Sequence, residues 1–281
     1  MTVSEASRLI SQELKLHFPA QEIDSFIYLI FNHFLQFKRF DVNLKSEIII
    51  PGHLELQIYN IIEQLKHNKP IQYILGVTEF YDLPFYVDDS VLIPRPETEE
   101  LVHWILDDYH GLSPRIIDIG TGSGCIPVAL AKNLPLAKVL AADISETALA
   151  TAHKNALRNS VTVEFLKMDI LSDALPDFGR FDLIVSNPPY VTVEQMDRME
   201  ANVLDYEPHI ALFVPQTDPL IFYRAISRFA GKQLEPGGNL YFEINESLAA
   251  ETANAVEEFG FTVEVKKDIN GKYRMLKAKL L

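Results

Sequence analysis

The last two thirds of the chain alternate short apolar runs with helical patterns, and this alternation restricts the fold more than any other feature. Strands are predicted over residues 115–119, 138–142, 161–166, 181–186, 238–244, 261–265 and 273–280, and helices over 126–133, 145–159, 219–234 and 247–259. Strands that alternate with helices form a doubly wound, mostly parallel sheet. Only residues 266–272, which contain Asn270-Gly271, separate the last two strands, so these are expected to pair antiparallel. The sequence therefore predicts an α/β, Rossmann-like sheet of seven strands whose last strand is antiparallel.

Residues 1–75 have a different pattern and are predicted to form a separate helical domain. Apolar side chains recur at helical spacing between residues 23 and 34 and again between residues 54 and 65. Each of these helices must bury one face against a partner, so a small bundle is expected. The sheet-containing domain is predicted over residues 97–281.

Between the two domains, residues 76–96 are predicted to form a β-hairpin linker. Its strands are expected at 78–81 and 85–87, on either side of a turn at 82–84. The acidic residues that follow the linker are typical of a helix start. Thr98 or a neighbour is predicted to cap that helix.

Composition excludes several classes of protein. Cys125 is the only cysteine among 281 residues, which excludes an intrachain disulfide and favours a reducing compartment. A net charge of −14 argues against binding a phosphate backbone through bulk electrostatics. The eight histidines lack metal-ligand spacing, so no metal site is expected. Because the sequence has no signal peptide and no apolar run of the ~18 residues that span a membrane, we expect a cytoplasmic chain without membrane contact.

Glycines and acids follow the first three predicted strands, at the edge where open α/β sheets bind ligands. The first strand runs into Gly120-Thr121-Gly122-Ser123-Gly124, whose glycines allow a tight turn and close approach of a ligand to the backbone. The second ends at Asp143, which is placed to accept hydrogen bonds from ribose hydroxyls. The third ends at Asp169, which can contact an adenine edge. The turn lacks the basic partner of a diphosphate site, and S-adenosylmethionine fits as the predicted cofactor.

Asn187-Pro188-Pro189-Tyr190 follow the fourth predicted strand and are predicted to be the catalytic and substrate-binding residues, with Asn187 also contacting the cofactor. The prolines lack an N–H and have a fixed φ, so the chain must leave the sheet at Asn187. The Asn187 side-chain oxygen and the Pro188 carbonyl can each accept one hydrogen of a planar –NH2 group, which positions its nitrogen for methyl transfer. Tyr190 can stack on that planar acceptor. A glutamine amide and the exocyclic amine of adenine present similar geometry, so the pattern leaves both open.

Taken together, these motifs resemble the protein-(glutamine-N5) methyltransferases that modify peptide chain release factors. The resemblance extends over nearly the whole chain. Residues 70–76 and 78–81 are similar to the interdomain segment of that family, and residues 91–99 are similar to its most distinctive signature. The cofactor and catalytic motifs match in order, and so do Tyr206-Glu207-Pro208 and Ala211-Leu212-Phe213.

The resemblance implies a class I methyltransferase fold that acts on the glutamine of the Gly-Gly-Gln loop in class I release factors. The N-terminal helical domain would help to dock the release factor. Thr98 would lie near the methionine end of the cofactor, Ile144 and Ile170 would be further cofactor-binding residues, and Glu207 would contact the substrate. The family usually has glycines where this chain has Val214-Pro215-Gln216, so no contact is carried over from that loop.

Three other functions share part of these motifs. A ribosomal-protein glutamine methyltransferase would use the same chemistry. An adenine-amine nucleic-acid methyltransferase also uses Asn-Pro-Pro-Tyr, but residues 1–90 contain 7 Lys+Arg against 12 Asp+Glu, which argues against duplex DNA. A catalytically silent adenosine-binding module is disfavoured by the intact segment from Asn187 to Tyr190.

Overall fold

The computed structural model describes residues 1–280, apart from the side chains of Val193, Asp197 and Arg198. It divides the chain into two compact units. The first contains residues 1–76 and 200–206, and the second contains residues 77–199 together with the residues from 207 onward. The segment 200–206 thus belongs with the N-terminal helices, a membership that no pattern in the sequence predicts.

Five helices form most of the first unit: α1 (Val3–Leu14), α2 (Ala20–Leu35), α3 (Asp41–Leu44), α4 (Gly52–Lys66) and α5 (Ile71–Leu75). Their apolar faces meet in one core, which includes the predicted faces of α2 and α4. Thr2 caps α1 in a capping box with Glu5. The short helix Ala201–Tyr206 ends where the Tyr206 hydroxyl donates to the carbonyl of His67 (2.7 Å), which attaches it to the end of α4.

The second unit begins with a hairpin of β1 (Val77–Phe80) and β2 (Leu83–Tyr86). The predicted hairpin exists, but its turn consists of Tyr81 and Asp82 rather than residues 82–84. Both turn residues have positive φ, +52° and +58°, as a two-residue hairpin turn of this twist requires. Pro84 therefore lies within β2 opposite Glu79, where an edge strand tolerates its missing N–H.

Seven strands form the main sheet: β3 (Arg115–Ile119), β4 (Lys138–Asp143), β5 (Glu164–Lys167), β6 (Phe181–Ser186), β7 (Leu234–Glu243), β8 (Phe261–Lys267) and β9 (Tyr273–Leu280). Their order is β5-β4-β3-β6-β7-β9-β8. In this order, neighbouring strands pair in parallel from β5 through β4, β3 and β6 to β7. Strand β9 lies between β7 and β8 and is antiparallel to both. The predicted mostly parallel sheet with an antiparallel last strand is confirmed. The strand order reverses between β3 and β6, which creates a switch point at their carboxyl ends.

Helices cover both faces of this sheet. On one face lie α6 (Pro96–Tyr109), α7 (Cys125–Asn133) and α8 (Glu146–Arg158), and on the other lie α11 (Ile221–Gln233) and α12 (Ala249–Glu257). The short helix Ala201–Tyr206 of the first unit is α9, and His209–Leu212 is α10. Successive strand residues enter opposite cores. Ile116 of β3 and Leu183 of β6 face the α6–α7 side, and Ile117 and Ile184 face the α11–α12 side.

Several boundaries differ from the predictions by one to four residues, and the largest difference is at β7, which begins at Leu234 instead of residue 238. Helix α6 begins at Pro96 after Arg95, and no side chain caps it, so the prediction that Thr98 is a cap is wrong. Thr98 lies inside the first turn, and its hydroxyl donates to the carboxyl group of Glu243 instead. Strand β5 begins later than predicted, because the N–H of Val161 bonds back to the carbonyl of Ala156 at the end of α8.

Within residues 1–280, no helix is long and apolar enough to cross a membrane. The same residues contain no group of three or more His, Cys, Asp and Glu side chains arranged to hold a metal ion. Cys125 is a buried free thiol, and burial raises its pKa to about 12, which keeps it in the unreactive thiol form.

Candidate active site

A cavity of about 360 Å³ opens at the carboxyl ends of β3, β4 and β6. Its volume is typical of sites for small organic ligands. Most of the predicted site residues line it: Thr98, Gly120, Thr121, Gly122, Ser123, Asp143, Ile144, Asp169, Ile170, Asn187, Pro188 and Pro189. Three other predicted residues, Gly124, Tyr190 and Glu207, are described by the structure but are not part of the lining.

The glycine loop, residues 120–124, connects β3 to α7 and forms one wall of the cavity. Gly120 and Gly122 have φ of +76° and +54°, and each would point a Cβ into open space. Gly124 differs, because a Cβ there would lie 2.9 Å from the Cβ of Ala152 in α8. The structure therefore gives Gly124 a packing role, because its lack of a Cβ lets α7 begin directly against α8; its cofactor contact stays a prediction.

Asp143 both lines the cavity and holds the glycine loop in place. Its Oδ2 accepts from the N–H of Gly122 (2.8 Å), and its Oδ1 accepts from the N–H of Ser145 (2.9 Å). Each carboxylate oxygen can accept a second hydrogen bond. Asp143 therefore keeps acceptors for ribose hydroxyls while it fixes the loop to the end of β4.

Two buried polar side chains, Thr121 and Asp118, lie beside the glycine loop. The Thr121 hydroxyl lines the cavity and is 5% exposed. Asp118 lies two residues before Gly120. Burial raises the pKa of Asp118 to about 7, the side-chain hydrogen bond with Thr121 opposes this, and the negative charge of Asp143 raises the pKa further.

Part of the lining is apolar and suits a planar ring. Ile144 follows β4, and Met168, Ile170 and Leu171 follow β5. The exposed carboxylate of Asp169 lies in the same turn, where its Oδ1 accepts from the N–H of Leu171 (2.9 Å). Apolar contact beside an acceptor is what recognition of an adenine ring and its amine requires.

The acceptor wall of the cavity consists of Asn187-Pro188-Pro189, where the chain leaves β6. Ser186 donates to the carbonyl of Ile119 (2.6 Å), which holds the ends of β6 and β3 side by side. The Asn187 Nδ2 donates to the Thr98 hydroxyl across 3.4 Å. None of the described residues donates to the Asn187 Oδ1 or to the carbonyl of Pro188. Both acceptors that the predicted chemistry uses are therefore available.

Tyr190 is held away from the cavity. Its hydroxyl donates to Oε1 of Glu243 (3.0 Å), its ring packs against the core below β6, and its carbonyl accepts from Asn245. Burial, together with the charge of Glu243, raises the pKa of Tyr190, so the phenol stays protonated. In this structure the Tyr190 side chain supports the acceptor wall from behind, and its stacking on an acceptor stays a prediction.

Glu207 also supports the wall instead of lining it. Its side chain is 1% exposed, forms an ion pair with Arg95 and accepts from the N–H of Ile93 (3.3 Å). Burial raises the pKa of Glu207, and the charge of Arg95 only partly offsets this. Glu207 thus holds Arg95 where it lines the cavity, and its contact with the substrate stays a prediction.

Glu243 is the site residue that sequence patterns missed. It is buried at the end of β7 and accepts from Thr98 (2.6 Å) and Tyr190. Burial raises the pKa of Glu243, whereas the hydrogen bonds from Thr98 and Tyr190 and the charge of Arg274 lower it. The available signal was a lone acid inside the apolar run of a central strand, since such an acid needs buried partners.

Comparison with known proteins identifies the family. The methyltransferase small domain matches residues 98–204. A release factor glutamine methyltransferase from Flavobacterium psychrophilum is 49% identical, over 95% of this chain and 95% of its own length. One from Bacteroides thetaiotaomicron is 46% identical, over 96% of this chain and 97% of its own length. The chain belongs to the release factor glutamine methyltransferases.

This membership confirms the resemblance drawn from residues 91–99 and 187–190. The fold agrees with it. A T. thermophilus 16S rRNA methyltransferase, solved in complex with AdoMet and guanosine, superimposes with a TM-score of 0.54 at 19% identity, over 73% of this chain and 50% of that chain. At this identity the likeness concerns the fold alone, which is the class I methyltransferase fold that release factor glutamine methyltransferases were expected to have.

Proposed function

We propose that this chain transfers a methyl group from S-adenosylmethionine to the side-chain amide nitrogen of the glutamine in the Gly-Gly-Gln loop of class I peptide chain release factors. The observation that carries the proposal is that Asn187, Pro188 and Pro189 line the same cavity as the glycine loop and Asp143. A methyl donor and a planar amide can therefore meet there. The names of the relatives that are 46–49% identical support the choice of acceptor.

The lining fits S-adenosylmethionine in polarity and charge. Asp143 would accept from the ribose hydroxyls, and Ile144 and Ile170 would flank the adenine. The Thr121 hydroxyl and the Arg95 guanidinium both line the cavity and are suited to the amino-acid end. When bound, the cofactor supplies an electrophilic methyl group on a sulfonium.

The acceptor wall overcomes the poor nucleophilicity of an amide nitrogen, whose lone pair is delocalised into the carbonyl group. Asn187 Oδ1 and the Pro188 carbonyl would each accept one of the two amide hydrogens. These bonds orient the nitrogen toward the methyl group and stabilise the positive charge that develops on it. Proline suits this role because it cannot donate and because its ring restricts the direction of the carbonyl.

The overall reaction balances without a protein base of high pKa. A nitrogen–carbon bond forms and the methyl–sulfur bond breaks, with its electron pair remaining on sulfur. The alkylated nitrogen is acidic and loses one proton to water. In this scheme the side chains of the site position the amide nitrogen and stabilise its developing charge, and none of them acts as a general base.

The remaining parts of the chain are included in the proposal as supports for this reaction. Residues 1–75 would dock the release factor, and residues 97–281 would catalyse the methyl transfer, as the family resemblance implies. Residues 76–96 would link these two domains. The substrate is a translation factor, so the reaction would take place in the cytoplasm. Neither nucleic acid nor a membrane is required as a partner.

The test is to incubate the purified chain with a class I release factor and cofactor that carries a labelled methyl group, and then to locate the label by mass spectrometry. We expect one methyl group on the glutamine of the Gly-Gly-Gln loop. A release factor with that glutamine replaced by alanine is the control and should remain unlabelled. Labelling of a ribosomal protein or of DNA, with none on the release factor, would contradict the proposal.

A further inference from the structure

Glu243 connects the two segments that border the acceptor site. Its Oε2 accepts from the Thr98 hydroxyl in α6 (2.6 Å), and its Oε1 accepts from the Tyr190 hydroxyl (3.0 Å). The residue is 2% exposed, so bulk water does not compete for these bonds. Glu243 is not among the described residues that line the cavity. Any influence on the reaction must therefore pass through Thr98 or Tyr190.

The two donors around Glu243 set the direction of the hydrogen bond between Thr98 and Glu243. Thr98 donates to Oε2 at 2.6 Å and Tyr190 donates to Oε1 at 3.0 Å, so each carboxyl oxygen is an acceptor. Burial raises the pKa of Glu243, but these two hydrogen bonds and the charge of Arg274 favour its ionised form. The Thr98 hydroxyl thus gives its single hydrogen to Glu243. The lone pairs of Thr98 Oγ1 are then left to accept, and the Asn187 Nδ2 is the donor at 3.4 Å.

The direction of these bonds matters because an asparagine amide has two ends of nearly equal size. One end is an acceptor and the other a donor, and the neighbouring groups decide which of them faces the cavity. We propose that Glu243 and Thr98 form a polarity relay that holds the Asn187 nitrogen and leaves the Asn187 oxygen for the substrate amide.

The reversed amide would be unfavourable at both ends. Oδ1 would meet the oxygen of Thr98, whose only hydrogen is already bonded to Glu243. Nδ2 would present N–H groups to the N–H groups of the substrate. The inference rests on the proposed function, since the relay matters only if Asn187 must accept from the acceptor nitrogen. Glu243 and Thr98 are positioning residues in this scheme, and Asn187 is the catalytic one.

The first test removes the Thr98 hydroxyl with little change in shape. In Thr98→Val the Asn187 amide loses the partner that orients it, and we expect kcat to fall about 5- to 10-fold, which corresponds to one hydrogen bond. The cofactor Kd should match that of Thr252→Val, whereas the melting temperature should be lower than that of Thr252→Val, because Thr98→Val also removes a donor from buried Glu243. Thr252 is a suitable control because it is also fully buried, has no hydrogen-bond partner in the described structure and lies in α12 outside the cavity lining.

Conservative and double variants separate positioning from packing. Thr98→Ser keeps the hydroxyl and should retain kcat within about 2-fold of the unmodified chain. Glu243→Gln replaces one acceptor oxygen by an NH2 donor, so Thr98 and Tyr190 can no longer both donate to it, and kcat should fall. In the Thr98→Val background, the same Glu243→Gln change should have a clearly smaller effect, because the relay is already interrupted.

A second measurement does not need any substrate. The Asn187 side-chain amide signals in a ¹⁵N NMR spectrum can be identified by their absence in Asn187→Ala. One amide hydrogen should exchange slowly with water in the unmodified chain, and faster in Thr98→Val and in Glu243→Gln. This readout tests the polarity of the Asn187 amide even if the acceptor is a different molecule.

Several results would overturn the relay. Full kcat in Thr98→Val, a Thr98→Ser variant as impaired as Thr98→Val, or equal exchange rates of the Asn187 amide in all variants would each contradict it. So would a loss of kcat that is matched by a loss of cofactor affinity, since Thr98 would then act on the cofactor. Failure of the proposed function gives a different result: the unmodified chain would leave the release factor unlabelled, whereas the NMR comparison would still judge the relay.

Discussion

The glycine-loop wall and the acceptor wall of the cavity are held by contacts of very different range. On the glycine-loop wall, Asp143 binds the N–H of Gly122, 21 residues earlier in the chain. On the acceptor wall, Thr98 bonds to Glu243 over 145 residues, and Arg95 pairs with Glu207 over 112. The first wall is a local product of two neighbouring strands, whereas the second exists only when distant segments are packed together.

This difference matches the tasks of the two walls. A cofactor with ribose hydroxyls needs backbone N–H groups, open glycine positions and one carboxylate, all of which two adjacent strand ends supply. A weakly nucleophilic amide needs acceptors in fixed directions, and these directions come from buried partners behind the wall. Substitutions should therefore separate the walls, with cofactor affinity changing on one side and turnover on the other.

The largest expected effect is on the acceptor wall. Asn187→Ala removes one of the two acceptors for the amide hydrogens, and we expect kcat to fall about 10²-fold or more. Cofactor affinity should change little, because the glycine loop and Asp143 are untouched. Steady-state kinetics together with calorimetry measures both quantities. Near-normal turnover in this variant would break the distinction between the walls.

A large effect on stability is expected at Asp118, behind the glycine loop. The folded-state pKa of about 7 lies above the ordinary value of 3.8, so the folded chain binds an extra proton between these values. Stability from this group is present below about pH 4 and is lost as the pH rises through 7, by about 2 kcal/mol from pH 5 to 8. Asp118→Asn should flatten that decline. Denaturant unfolding at several pH values, without cofactor, measures the free energy of unfolding. If this free energy fell equally with pH in the unmodified chain and in Asp118→Asn, the prediction would be refuted.

A smaller effect is expected at Asp143. Asp143→Ala removes the acceptor for ribose and releases the N–H of Gly122, so the cofactor Kd should rise about 10-fold or more. At saturating cofactor, kcat should recover most of its value. Asp169→Ala is the comparison, since that carboxylate is exposed and should matter less. Unchanged calorimetric affinity in Asp143→Ala would show that the ribose is held elsewhere.

The smallest effect distinguishes two glycines of one loop. Gly124→Ala places a Cβ against Ala152, so its free energy of unfolding should fall about 1 kcal/mol further than that of Gly122→Ala. Gly122→Ala should instead weaken cofactor binding more, because its Cβ would occupy the cavity wall. Denaturant unfolding and cofactor titration of both variants provide the test. A reversed ranking in either measurement would mean that the roles of the two glycines are exchanged.

Much of the fold follows from the sequence because it is encoded by local patterns. Alternating apolar runs and helices predict the seven strands, and the short connection through Asn270-Gly271 predicts the antiparallel β9. The errors lie at places that local patterns do not determine. The hairpin turn moved to Tyr81-Asp82 because two residues with positive φ, and not the proline, set its position. The segment 200–206 belongs to the first unit through a long-range hydrogen bond from Tyr206 to His67.

The candidate site shows the same division between residues that local patterns predict and residues whose placement depends on tertiary contacts. Residues 120–123 of the glycine loop, Asp143 and Asn187 were predicted from residues at strand ends, and they line the cavity. Tyr190, Glu207 and Gly124 were expected to touch a ligand, and the structure shows their tertiary contacts, which the sequence did not predict. Glu243 was missed because its importance depends on Thr98 and Tyr190, and no spacing in the chain connects these three. A sequence motif therefore predicts which segment of the chain forms the site, whereas the direction of each side chain depends on its tertiary partners.

The insertion of β9 between β7 and β8 has a consequence for the acceptor wall. In the β7–β9 pair, Glu243 lies opposite Met275, and among the described strands β8 pairs with β9 alone. The backbone that carries the Glu243 carboxyl group is therefore held on one side by β9, whereas Asp143 and the glycine loop lie at the ends of β4 and β3. A change that loosens β9 would thus reach the partners of Thr98 and Tyr190 before it reaches the glycine-loop wall.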